Sequence, residues 1–242
     1  MWLRQWKRYI RKKSRIIGSL GQPLLFLFAL GFGLSPIFEA AGGGDYIQFL
    51  TPGVIAMTVL FTAVFTGMEI IWDKQFGFMK ETLVAPVTRF EIMMGKTLGG
   101  ATVSTIQGLL IFLVTFIAGF RPESYAMLPL AFLFLVLIAF MFSAIGTVIA
   151  ARLDDMQAFP LIINFVIQPL FFLSGALFPL DNIPNVLRFV TNMNPLTYGV
   201  EGLRFALNGQ SFFSPLTSIF VLVGVTIAVL LTGIYQFSKI EI

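Results

Sequence analysis

Residues Trp72–Lys96 read WDKQFGFMKETLVAPVTRFEIMMGK, and Asp73, Lys74, Lys80, Glu81, Arg89, Glu91 and Lys96 put seven charges into this short stretch. The flanking segments, about Phe49–Ile71 and Thr97–Phe120, are almost wholly apolar. An apolar run of about 20 residues is long enough to cross a bilayer as a helix. The charged stretch therefore reads as a loop joining two spans, and the side of the membrane it occupies sets the orientation of the whole chain.

Working outward, four more such runs appear, at about Leu20–Phe38, Ala126–Ala151, Phe159–Leu180 and Leu216–Phe237. Six spans are expected. They are expected to be helical, because an isolated strand in lipid leaves its backbone groups unsatisfied. The 242 residues are 57% hydrophobic and 12% charged, far below the charge of a soluble domain, which is about 25%. No stretch is polar and long enough to form a separate soluble domain, so residues 1–242 read as one all-α polytopic membrane domain.

Of the 16 Lys and Arg, thirteen fall in the N-terminal segment, in the loop 72–96, after the fourth run and after the sixth. Only Arg121, Arg188 and Arg204 fall on the other side. The excess of positive charge on inner loops then places the loop 72–96 and both termini in the cytosol, with the chain in the cytoplasmic membrane. Trp2, Trp6 and Trp72 lie at the expected inner interface, and Tyr46, Tyr125 and Tyr198 near the outer one. The net charge of +4 is thus topological and does not point to nucleic acid.

The chain has no Cys and no His. That removes disulfides, thiolate nucleophiles, imidazole bases and the usual zinc ligand sets. Gly95-Lys96-Thr97 resembles the tail of a phosphate-binding loop, but the full pattern needs a Gly where Phe90 stands, and no strand precedes it. Lys96 reads instead as an interface charge that snorkels out of a helix end. No catalytic residue, cofactor site or metal site is expected in this chain, and any ATP must be bound by another subunit.

At the N-terminus, residues 1–19 place Trp2, Leu3, Trp6, Ile10 and Ile17 on one helical stripe and basic residues on the other. This is the pattern of an interfacial helix on the inner leaflet. A cleaved signal peptide with Leu24–Leu34 as its apolar core is the competing reading. Between runs five and six, residues 181–215 are too long for a hairpin and still apolar. They are expected to dip back into the outer leaflet as short broken helices.

In the loop 72–96, Phe76, Met79, Lys80 and Leu83 recur at helical spacing, and Pro86 ends that helix because it lacks a backbone donor and restricts Ala85. Two readings stay open: a loop packed on lipid headgroups, or a docking helix for a cytosolic partner. The order Gly77, Leu83, Ala85-Pro86, Arg89, Gly95-Lys96 resembles the corresponding loop in the type 2 permeases of ABC exporters. A second match lies in Ile167, Leu170, Leu173, Ser174, Ala176, Ile183-Pro184, Pro195-Leu196, Tyr198 and Arg204, which resemble the outer signature of the same family. The drug-efflux and lipo-oligosaccharide branch is the most similar.

This resemblance implies a permease subunit that pairs with a second copy or a paralogue and joins two ATPase subunits, which hold ATP and Mg. It implies export of an amphipathic, drug-like or lipid-linked substrate. Carried over residue by residue, Gly77, Glu81, Leu83, Pro86 and Arg89 are the candidates for coupling to the ATPase, and Pro195, Tyr198 and Arg204 mark the outer signature. The alternative is an ion-gradient-driven secondary transporter or channel.

Polar residues at membrane depth are few. Glu69 is the one acidic residue well inside a run, one turn before Trp72, and is expected to reach water or pair with Lys74. Asn164 and Gln168 share a helical face, followed by Pro169 as a kink. They face either the pathway or a neighbouring helix. Asp154 and Asp155 read as solvated charges and an N-cap, or as a second contact for a cytosolic subunit. Glu201 and Arg204, three apart, are placed to pair.

Overall fold

A computed structural model of the chain describes residues 2–11, 13–78, 87–180 and 183–238. Among the described residues there is no strand. The helices are α1 (Trp2–Arg11), α2 (Lys13–Leu25), α3 (Gly31–Ala40), α4 (Tyr46–Thr66), α5 (Met68–Gln75), α6 (Arg89–Thr115), α7 (Leu128–Arg152), α8 (Ala158–Ile162), α9 (Gln168–Phe172), α10 (Asn185–Met193), α11 (Pro195–Asn208) and α12 (Pro215–Ser238). A π-helical turn, Phe26–Leu30, joins α2 to α3, and another, Ile163–Ile167, joins α8 to α9.

Among the described residues, five helical rods are long and apolar enough to cross a membrane: Ile16–Ala40, Tyr46–Gln75, Arg89–Thr115, Tyr125–Arg152 and Pro215–Gln236. The expected fifth span, Phe159–Leu180, is helical over only part of its length. Its helix covers Ala158–Phe172 only, which at 1.5 Å per residue rises about 22 Å against a hydrocarbon core of about 30 Å. Two local causes are visible. Pro169 cannot donate to the carbonyl a turn earlier, and the helix widens to a π turn just before it. Gly175 then adopts φ of 74°, a left-handed conformation that ends the helical path.

The helix ends carry the caps that their sequence calls for. Asp45 accepts from the Ile47 amide at 2.8 Å to start α4. Thr88 and Glu91 form a reciprocal capping box that starts α6 earlier than the apolar run suggests. Asn194 accepts from the Leu196 amide at 3.0 Å, with Pro195 in the first turn, and so opens α11.

The centre of the bundle is α4, of which sixteen of 21 residues are buried. A helix apolar on every side belongs inside a bundle. It packs on α6, α7 and α11, and α7 also packs on α12. Helix α6 receives α1. Close approach is built from glycine: a Cβ on Gly67, between α4 and α5, would lie 2.3 Å from the Gly146 carbonyl oxygen of α7. A Cβ on Gly53 would lie equally close to the carbonyl oxygen of Ala176.

Candidate functional site

The rod α4–α5 and the elbow between α1 and α2, with Val103 of α6, line a partly open cavity of about 640 Å³. Its α4–α5 wall runs from Met57 to Asp73, about 24 Å along a helix. Phe61, Phe65, Trp72, Phe76 and Phe78 supply aromatic surface. Thr58, Thr62 and Gln22 supply neutral polar groups, and Arg8, Glu69 and Asp73 the charges. The charges cluster at the end that leads into the loop 72–96, because Asp73 lies close to the end of α5. The cavity therefore has an amphipathic lining: apolar and aromatic along its length, ionic at one end.

The ionic end is held by tertiary contacts. Arg4 donates to Asp73 at 2.9 Å, and Arg8 approaches Glu69 to 3.4 Å. Lys96 of α6 pairs with the second oxygen of Asp73. Three expectations are corrected here. Lys96 does not snorkel to the interface; it is 5% exposed, because the Asp73 carboxylate beside it holds its charge inside the bundle. Glu69 pairs with Arg8 and not with Lys74. Lys74 instead turns to the end of α7, donating to the carbonyls of Ala151 at 2.6 Å and Leu153 at 3.2 Å and meeting Asp154 at 3.1 Å. A cation at these last carbonyls complements the negative end of the helix. The basic side of α1 does not simply face headgroups, since Arg4 and Arg8 are turned onto α5.

The other side of α1 is stapled to α6. Trp2 Nε1 donates to Thr102 Oγ1 at 2.9 Å, the Tyr9 hydroxyl donates to Gln107 Oε1, and the Gln5 side chain covers Gly99 so closely that a Cβ there would push its amide aside. Gln107 also donates to the Ile16 carbonyl at 3.2 Å, which fixes the start of α2.

The coupling candidates are only partly within view. Glu81, Leu83 and Pro86, and the helix expected around them, lie outside the described residues. Gly77 has φ of 78°, so the chain leaves α5 through a conformation that suits glycine. Arg89 stands in the first turn of α6, where the helix dipole disfavours a cation. It is half-buried, and its Nη1 finds no hydrogen-bond partner among the described residues.

Of the polar residues expected at the pathway, the structure brings Glu69 to the cavity. Asn164 is exposed, Gln168 is half-buried, and neither lines it. Asp155 accepts from the Gln157 amide at 2.9 Å, a turn that leads into α8. Sequence reasoning passed over Arg4, Arg8 and Asp73. The signal was the four-residue spacing shared by Arg4 and Arg8 and by Glu69 and Asp73, but no periodicity says which helix meets which.

In the segment 181–215, α10 and α11 form, and α11 is buried. Glu201 and Arg204 pair as their spacing suggests. Arg204 also donates to the Gly175 carbonyl at 2.9 Å and lies 4.2 Å from the Phe49 ring centroid, a cation–π contact. Glu201 accepts from the Phe212 amide at 2.5 Å. The Tyr198 hydroxyl donates to the Asn192 carbonyl at 2.8 Å, so it ties α11 to α10.

Comparison with known proteins adds the family context. The profile of a family described as "ABC-2 type transporter" matches residues 1–208. The chain is 30% identical over 205 residues to the protein designated transport permease ycf38 of Cyanophora paradoxa, covering 84% of this chain and 71% of that one. It is 27% identical over 231 residues to nodulation protein J of Rhizobium leguminosarum bv. viciae, covering 93% and 87%. Nodulation protein J of Rhizobium meliloti (strain 1021) is also 27% identical, over 216 residues, covering 86% and 82%.

Proposed function

The chain belongs to the ABC-2 type transporter family, and we propose that it is the permease subunit of an ATP-driven exporter that moves an amphipathic, drug-like or lipid-linked substrate out across the cytoplasmic membrane. It is a membrane protein and a transport permease of the ABC-2 type. In this reading six segments cross, the short helix Ala158–Phe172 among them, with both termini cytosolic and α10–α11 re-entering from outside. Two ATPase subunits carry ATP and Mg, and a second permease, identical or paralogous, completes the path.

The observation that carries the reading is the cavity between the α1–α2 elbow and the α4–α5 rod. An amphipathic molecule needs a surface apolar along most of its length and polar at one end, and this lining offers both. The cavity shares α5 with the start of the loop 72–96, so a cytosolic subunit pressing on that loop acts directly on a cavity wall. Arg89 supports docking there. A cation unfavourable to its own helix end, with a buried donor lacking an acceptor among the described residues, suits a carboxylate supplied by a partner.

The test is co-purification of the chain with the products of its neighbouring genes, among which an ATPase subunit is expected. Arg89→Glu is expected to reduce the recovered ATPase at least tenfold while the permease remains folded and in the membrane. Recovery at the native level removes Arg89 from the contact. Transport by the purified chain alone, driven by an ion gradient, replaces the exporter by a secondary transporter or channel.

A further inference from the structure

Glu69 and Asp73 lie four residues apart on α5, and so on one face about 6 Å apart along the axis. Arg4 and Arg8 have the same spacing on α1. Arg4 meets Asp73 and Arg8 meets Glu69, so the two helices run antiparallel and in register, two rungs deep. The Asp73 rung extends to a third helix through Lys96 of α6. One carboxylate thus holds the N-terminal helix, the rod that enters the loop 72–96 and the helix that returns from it.

Stability alone is a poor reason for such a cluster. Buried ion pairs lose in desolvation much of what they gain in attraction, and apolar replacements often fold as well. What they supply is register: only one sliding and one rotation of α1 satisfies both rungs and the staples to Thr102 and Gln107. The rungs also differ. Asp73 and its second partner Lys96 are 6% and 5% exposed and Arg4 is 44% exposed, whereas Arg8 and Glu69 are 35% and 14% exposed. Solvent and salt therefore reach the arginine of each rung, while the Asp73–Lys96 pair is shielded; of the two carboxylates, that of the Arg8–Glu69 rung is the more open. That rung bridges the two walls of the cavity, since Arg8 and Glu69 both line it.

We propose that Asp73 and Glu69 are positioning residues for coupling: through Arg4, Arg8 and Lys96 they make α1 move with α5, so that a displacement of the loop 72–96 resets the α1 wall of the cavity. This rests on the reading that force enters at that loop. Lys74 holds the opposite side of α5 to the end of α7, so the last turn of α5 is the junction of three contacts: α1, α6 and the loop that follows α7.

The test uses the permease–ATPase complex in lipid nanodiscs, with spin labels at Lys7 on α1, at Phe90 at the start of α6 and at Leu231 on α12 as reference. In the native chain, ATP is expected to shift both the Phe90–Leu231 and the Lys7–Leu231 distances. In Arg4→Glu/Arg8→Glu the first shift is expected to persist and the second to vanish. The transposed pair Arg8→Glu with Glu69→Arg restores opposite charges on the exposed rung and is expected to recover the second shift. Arg4→Gln, a milder change, is expected to reduce it. A purely structural role predicts that loss and recovery follow thermal stability, not the ATP-linked movement of α1. If α1 still follows ATP in Arg4→Glu/Arg8→Glu, the proposal is overturned. A native complex whose Phe90 label responds to ATP beside an unresponsive α1 overturns the proposal alone. A native Phe90 label that ignores ATP overturns the functional reading along with it.

Discussion

Arg204, expected in the outer signature, shows how a single residue joins several elements. Its guanidinium reaches the Glu201 carboxylate, the Gly175 carbonyl and the Phe49 ring, and so joins α11, the turn after α9 and α4. Removing one partner of a buried pair leaves the other charge uncompensated, which costs about 3–5 kcal/mol. Arg204→Met is therefore expected to lower the unfolding temperature of the detergent-purified chain sharply. The double change Glu201→Gln/Arg204→Met is expected to cost less than Arg204→Met alone, because no bare carboxylate remains. Arg204→Lys keeps the charge but loses the planar fork, and should fall between the native chain and Arg204→Met. Equal losses for the single and double variants would remove the pair from the explanation.

At the scale of elements, the crossing of α4–α5 over α7 depends on Gly67 and Gly146. A Cβ on Gly146 would lie 2.6 Å from the Val64 carbonyl oxygen, and one on Gly67 2.3 Å from that of Gly146. Backbone cannot swing aside as a flexible side chain can, so Gly67→Ala and Gly146→Ala must push two buried helices apart. Each is expected to lower thermal stability and to disturb the cavity, since α5 carries its ionic end. Gly224→Ala on α12 is the control: nothing lies within 4 Å of that position, and alanine favours helix by up to about 1 kcal/mol. Size-exclusion profiles and unfolding temperatures of the three variants separate a steric crossing from a general intolerance of alanine.

For the whole molecule, the distribution of exposed apolar residues bears on the membrane. On α12, Leu216, Phe220, Val223, Ile227, Leu231 and Tyr235 recur every three or four positions and are exposed, forming a continuous stripe suited to lipid. The orientation rests on charge and is testable directly, because the native chain has no Cys to remove. A single cysteine at Val186 is expected to react with a membrane-impermeant maleimide added to intact cells, and one at Val87 only after permeabilisation; both positions are exposed. The opposite pattern would invert the map and carry the proposed docking face to the wrong side.

Much of this architecture was legible in the chain itself. Apolar length marked the long rods, the Lys and Arg asymmetry set an expected orientation, the spacing of Glu201 and Arg204 announced their pairing, and the two motifs pointed to the family. These are properties of single residues and of near neighbours, which solvation and helix geometry determine locally. The partners of Glu69, Asp73 and Lys96, the docking of α1, the end of the fifth apolar helix at Phe172 and the cavity depended on tertiary structure. A charge that looks destined for the interface can stay buried when a helix 23 positions earlier supplies its counter-ion, and only the packing of α1, α5 and α6 decides that it does.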